Sequence, residues 1–218
     1  MTEDPALTPT ELALLNGDRF AAKKMMRNVR LLDGERKVSA VDLGTTLLAL
    51  AVLANERNGA LRLEPRRRKA LLGALGMQKL WVDPTPRTAA WPSGTLEARV
   101  EEVARRLAAS GRNDAESVLV DVLATETHDA YAHAVDLVKA GLHARGLLVA
   151  EGKKALGLIP YKELRAPAPL LDAARNRDLA DVQAALAAGE ARPDVWKLLR
   201  GDIKDAATRQ TTQPDGPD

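Results

Sequence analysis

The three histidines, His128, His133 and His143, are the side chains best suited to hold a metal or to move a proton near neutral pH. Their spacing argues against a shared metal. Ligands must all come within about 2 Å of one ion. His133 and His143 are ten residues apart on a helix-like segment, nearly three turns from each other. No His-Glu-x-x-His pair is present. The acidic pairs Glu101-Glu102 and Asp114/Glu116 fall on the polar faces of amphipathic segments, where solvation explains them. Gly73-Ala-Leu-Gly76 is too short and too apolar for a phosphate-binding loop. Ser39, Ser93, Ser110 and Ser117 stand in no nucleophile-elbow context. With no cysteine in the chain, thiolate ligands and cysteine nucleophiles are excluded. The expectation is a protein that is not an enzyme, with no catalytic residue, no metal and no cofactor.

The cations are more informative. Arg19, Lys23, Lys24, Arg27, Arg30, Arg36 and Lys37 meet only Asp33 and Glu35, a local excess of five positive charges. The densest cluster is Arg62, Arg66, Arg67, Arg68 and Lys69, read as a strand leading into a basic loop. Between Glu97 and Asp136 nine acids face four arginines, a local excess of five negative charges. Near an anionic leaflet each lysine or arginine contributes about 1 kcal/mol, so Arg62 to Lys69 is a candidate anionic-surface site. The competing reading is a solvated loop paired with the acidic helices. A second candidate is Lys153-Lys154 followed by Leu156, Leu158, Ile159 and Tyr161. Apolar side chains beside lysines suit a membrane interface or a second subunit. More often such residues simply pack on the preceding helix or on another subunit, since alternating apolar positions usually face a core.

These residues need elements to hold them. Ser39 with Asp42 is a capping pattern, and leucines at 43, 47, 50 and 53 repeat at helical spacing until Asn58-Gly59. Leu61 and Leu63 alternate with Arg62 and Glu64 as in a strand, and 79–83 reads as its return. Helices are expected from about Thr95 to Ala109, after Asp114, and from about Asp129 to Arg145, stopped by Gly146. A hairpin is expected over Leu147–Ala150 and Ala155–Ile159, turning at Glu151-Gly152-Lys153. Two more helices follow, one capped by Asp178 and one opening at Pro193. Hydrophobic residues make up 45% of 218 and aromatics only 3%, so the core must be built of Leu, Ala and Val. Such a core favours packed helices. The reading is a mainly α fold, a compact helical domain with short antiparallel β-hairpins. It runs over residues 9–207, with a flexible 1–8 and a disordered 208–218.

The start of the chain lacks the basic run and apolar region of a signal peptide, and Leu47–Ala54 is far too short to span a bilayer. The expected location is cytoplasmic, with any membrane contact peripheral. A helix leading into a hairpin occurs twice, at 40–83 and 129–160, and winged-helix domains contain the same unit. A nucleic-acid binder using Arg66–Lys69 and Lys153-Lys154 is therefore the alternative, and an enzyme of unrecognised type ranks third. The net charge of +2 and the scarcity of aromatics weigh against it.

Several segments, in order, resemble the Golgi phosphoprotein 3 family, its bacterial members above all. They are Leu7-Thr-Pro-Thr-Glu-Leu-Ala-Leu-Leu15, Gly44-Thr-Thr-Leu-Leu-Ala-Leu-Ala-Val-Leu53 with Gly59-Ala-Leu-Arg-Leu-Glu64, and Val82-Asp-Pro-Thr-Pro86. Leu142-His-Ala-Arg-Gly-Leu-Leu-Val-Ala-Glu151, Ala155-Leu-Gly-Leu-Ile-Pro160 and 182–193 complete the set, which covers most of residues 7–200. The resemblance implies a mostly helical fold, recognition of phosphatidylinositol 4-phosphate on a basic face, and a hydrophobic hairpin, here Ala155–Tyr161, that meets a membrane or another subunit. In the eukaryotic members it implies peripheral Golgi association and retention of glycosyltransferases. The family's headgroup arginines fall at Leu43, Ala132 and Val135 of this chain, and no tryptophan lies near residue 34. Binding to an anionic lipid surface without strong headgroup selectivity is therefore expected, with a protein partner or a homo-oligomer as a further expected contact.

Overall fold

The computed structural model describes residues 6–67, 78–124, 129–155 and 159–211, with the backbone alone at 153–155, 159–162 and 211. Eight α-helices carry the fold among these residues: α1 (Pro9–Leu15), α2 (Ala40–Arg57), α3 (Leu96–Ala108), α4 (Ala115–Val122), α5 (Ala130–Ala144), α6 (Ala168–Asn176), α7 (Ala180–Glu190) and α8 (Pro193–Thr211). Three separate antiparallel hairpins pair β1 (Asn28–Arg30) with β2 (Lys37–Ser39), β3 (Leu61–Arg67) with β4 (Gln78–Pro84), and β5 (Val149–Ala155) with β6 (Ile159–Arg165). The chain is mainly α with short hairpins, as its composition and periodicity imply.

The axis is α2. Ser39 Oγ accepts from the Asp42 amide at 3.2 Å and starts the helix, and Gly59, at φ 73°, follows its end. Leu43, Leu47, Leu48, Leu50 and Val52 are wholly buried, so the helix is apolar on almost every face and must lie at the centre. It packs against α1, α3, α5, α7 and α8. The crossing with α5 is close because residue 44 is glycine: a Cβ there would lie 2.6 Å from the Tyr131 carbonyl oxygen.

Buried polar residues fasten the helices to one another. Asn55 donates to the carbonyls of Ala51 and Glu97 at 2.8 and 2.9 Å and accepts from Trp91 Nε1 at 2.8 Å. Glu97, fully buried on α3, accepts from the Thr10 amide and hydroxyl at 2.8 Å each. Its burial pushes the carboxyl upward, against those donors. Thr8 is buried in a capping box with Glu11 at the start of α1. At the other end α8 continues to Thr211, beyond the expected limit of 207.

The hairpins differ from expectation in extent. Pro65, Arg66 and Arg67 belong to β3, paired with Leu80, Lys79 and Gln78, rather than to a loop. Glu151-Gly152-Lys153 is not a turn: Gly152 pairs with Lys162 inside a ladder that runs from Val149↔Arg165 to Ala155↔Ile159. Ion pairs hold this longer register, Arg165 with Glu151 at 3.2 Å and Arg30 of β1 with Glu163 at 3.1 Å. Local turn chemistry thus yields to cross-strand and β1 contacts. The β1–β2 hairpin has no counterpart among the elements expected from the sequence.

Candidate functional site

Alternation along β3 turns Leu61 and Leu63 inward and Arg62, Glu64 and Arg66 outward, opposite Asp83, Trp81 and Lys79 of β4. The strand thus brings carboxylates to its own arginines. Arg66 pairs with Glu64 at 2.7 Å and with Asp83, and its guanidinium lies 5.5 Å from the centre of the Trp81 ring. These contacts hold the Glu64 carboxyl below its usual range. Arg62, more exposed, lies 3.8 Å from Glu64 and 3.9 Å from Asp83. Arg67 is exposed and closes the described strand, while Arg68 and Lys69 lie outside the described residues. The expected basic site is therefore half a neutral cross-strand network.

Lys79, at the next outward position, belongs to a deeper cluster. Its ammonium sits between Glu116 of α4, which it contacts directly, and Asp202 of α8, 3.8 Å away. Arg209 reaches Glu116 from the other side at 2.7 Å. Glu116 and Asp202 are nearly inaccessible to solvent. Burial pushes the Asp202 carboxyl up to about 7, against the pull of Lys79 and with the nearby Glu116, Asp114 and Asp205 adding to the rise. Carboxylate oxygens of Glu116, Asp202 and Asp205 lie within 4.8 Å of one another, as a metal site would require. Lys79 and Arg209 already supply cations at Glu116, so the cluster works as a clasp joining β4, α4 and α8. The described histidines, His133 and His143, belong to no such group among the described residues. His133 is half-buried on α5 and held below its ordinary pKa by burial, His143 is exposed with Nδ1 3.3 Å from the Leu148 carbonyl, and His128 is outside the described residues.

Exposed cations without an ion pair occur in residues 22–27, among other places. Lys23, Lys24, Met25, Met26 and Arg27 are all exposed. Lys24 pairs with Asp42 at 2.8 Å, and Lys23 and Arg27 form no ion pair among the described residues. The loop is nonetheless ordered. The amides of Ser39 and Ala40 donate to the carbonyls of Ala22 and Arg27 at 2.8 and 2.7 Å. The Asn28 amide group spans Lys24, accepting from its N–H at 3.2 Å and donating to its carbonyl at 2.6 Å. Arg27 alone among the described non-glycine residues has a positive φ, 54°.

The β5–β6 hairpin lies against β1 and the β1–β2 turn. The Arg165 guanidinium lies directly against Gly34 in the β1–β2 turn, and Glu163 pairs with Arg30 of β1. Lys153, Lys154, Ile159 and Tyr161 lie at the far end of the hairpin, where Lys153 pairs with Tyr161, Lys154 with Pro160 and Ala155 with Ile159 in the backbone ladder. A groove of about 280 Å³ lined by Arg30, Lys139, Glu163 and Leu164 separates the hairpin from α5. Leu156 and Leu158, read as a membrane or oligomer contact, lie outside the described residues.

Of the positions where the family resemblance places lipid-binding arginines, Leu43 and Val135 are wholly buried in the core and Ala132 is half-buried. No protein-family model matches the chain, and none of the curated proteins compared with it does. No helix among the described residues is long and apolar enough to cross a membrane.

Proposed function

We propose that the chain is a peripheral module that docks on anionic membrane surfaces and carries a protein contact there, as its resemblance to the Golgi phosphoprotein 3 family suggests. The carrying observation is an ordered loop that holds Lys23, Lys24 and Arg27 exposed, with Lys23 and Arg27 in no ion pair among the described residues. Cations clustered on one side attract an anionic leaflet additively and are screened over about 8 Å at physiological salt. Buried Leu43 and Val135, where the family has arginines, favour charge recognition over headgroup selection.

Co-sedimentation with vesicles of phosphatidylcholine alone, with phosphatidylserine, or with phosphatidylinositol 4-phosphate at matched charge tests this. Binding is expected only to the anionic vesicles, similarly for both lipids, and should fall as salt rises. Binding to neutral vesicles at equal strength, or salt-sensitive binding to duplex DNA alone, overturns the proposal.

A further inference from the structure

We infer that Met25 and Met26 are an insertion tip, entering the acyl-chain boundary of an anionic bilayer while Lys23 and Arg27, the unpaired cations beside them, hold the headgroups. This rests on the membrane-surface reading above and deepens it by naming what enters the bilayer. Met25 is 101% exposed and Met26 79%, and among the described residues Val149 is the remaining large hydrophobic with comparable exposure, 52%. Two adjacent apolar side chains wholly in water, within a run of three cations, have the composition of an interfacial anchor.

The backbone supports the same reading. A slack loop would let the methionines fold back onto the protein. This one is closed at both ends by the amides of Ser39 and Ala40 and braced across Lys24 by Asn28. It holds Arg27 in the left-handed region, which is unfavourable for a long side chain and persists only where the surroundings impose it. The outward display of the methionines is therefore built in, and docking requires little further ordering. Methionine is well suited to insertion, because its unbranched thioether chain adapts to irregular apolar surroundings such as lipid tails. The flanking charge identifies the occupant. A hydrophobic groove on a protein has no need of unpaired cations on both sides of the tip, whereas an anionic lipid surface supplies counter-charges for Lys23 and Arg27 and the apolar layer beneath.

The absence of cysteine makes the test direct. Met26→Cys introduces a single thiol for an environment-sensitive fluorophore, and Val149→Cys serves as an exposed control. With phosphatidylserine-containing vesicles the label at residue 26 is expected to brighten, shift to the blue, and be quenched by acyl-chain-brominated lipid but not by aqueous iodide. In parallel, Met25→Ser with Met26→Ser is expected to weaken vesicle binding about tenfold or more, with an unchanged salt dependence because the cations remain. Its circular dichroism and urea midpoint should match the parent, since neither side chain is packed. If vesicles bind while the label stays accessible to iodide and the serine variant binds as well as the parent, the tip stays in water; the inference fails and the surface reading stands. If the parent binds no anionic vesicle, both fail. If the serine variant changes molecular mass in light scattering and keeps its vesicle affinity, the tip is a subunit contact and the inference is overturned.

Discussion

The outer face of β3–β4 and the loop at residues 22–27 carry similar numbers of cations and use them in opposite ways. On the strands, Arg66 and Lys79 are held by Glu64, Asp83, Glu116 and Asp202, and an indole lies under the Arg66 guanidinium. In the loop, Lys23 and Arg27 face solvent without a carboxylate partner among the described residues. The strand geometry explains the difference. Cross-strand neighbours stand about 5 Å apart, so a strand bearing Arg62, Glu64 and Arg66 beside one bearing Asp83 neutralises itself. In the loop only Lys24 finds such a neighbour, Asp42 of α2, while Lys23 and Arg27 find none among the described residues. The density of basic residues along a sequence therefore overstates the charge available to a partner wherever the chain is paired.

The largest expected effect breaks the strand side of this comparison. Lys79→Met removes the central ammonium and leaves Glu116 and Asp202 buried with Arg209 alone. Breaking one member of a buried ionic cluster typically costs about 3–5 kcal/mol. A fall of that order in urea-unfolding stability is expected, with α8 loosened first in hydrogen exchange. A change below about 1 kcal/mol would show that water reaches the clasp and that the two regions are electrically alike.

Asp202→Asn sharpens the comparison through pH. The folded carboxyl is raised from an ordinary value of 3.8 to about 7, so the folded state binds the proton more tightly than the unfolded chain. The stability linked to that proton is fully present below about pH 4 and is lost as pH rises to about 7. The asparagine variant lacks this loss. It should match the parent at low pH and exceed it increasingly toward pH 8, with about 4 kcal/mol as the bound for a shift of this size. Paired urea titrations at pH 5 and pH 8 check it; a variant weaker than the parent at pH 8 means that the Lys79 attraction outweighs burial.

The smallest effect tests the contrast itself. Replacing Lys23 and Arg27 by Gln removes two free charges and should lower anionic-vesicle affinity about 30-fold, at about 1 kcal/mol each. Replacing Arg62 and Arg66 by Gln should change it less than about threefold, because Glu64 and Asp83 already offset them. Equal losses in the two double variants would refute the contrast.

Much of the scaffold is legible from local chemistry. The Ser39 cap, the leucine repeat and Gly59 bound α2, and Gly146 ends α5 within a residue or two. The turn between β5 and β6 is not legible in the same way. Glu-Gly-Lys is a good local turn, while the true register depends on Arg30, far away in sequence. At residues 22–27 the charge is visible in the sequence and the role of Met25-Met26 is not. Two methionines are ordinary core residues until a structure shows them in water.

The sequence by itself determined the mainly helical class, the aliphatic core, the limits of α2 and α5 and the lack of thiol chemistry. Each follows from residue type, short-range spacing or composition, which act within a few residues or over the whole chain. Only the tertiary structure decided which cations remain free. It drew Lys79, Glu116, Asp202 and Arg209 together from β4, α4 and α8, and set Asp83 beside Arg66. It also left Met25 and Met26 uncovered. Electrostatic pairing and burial act between neighbours in space, and one-dimensional order does not encode those neighbours until the chain has folded.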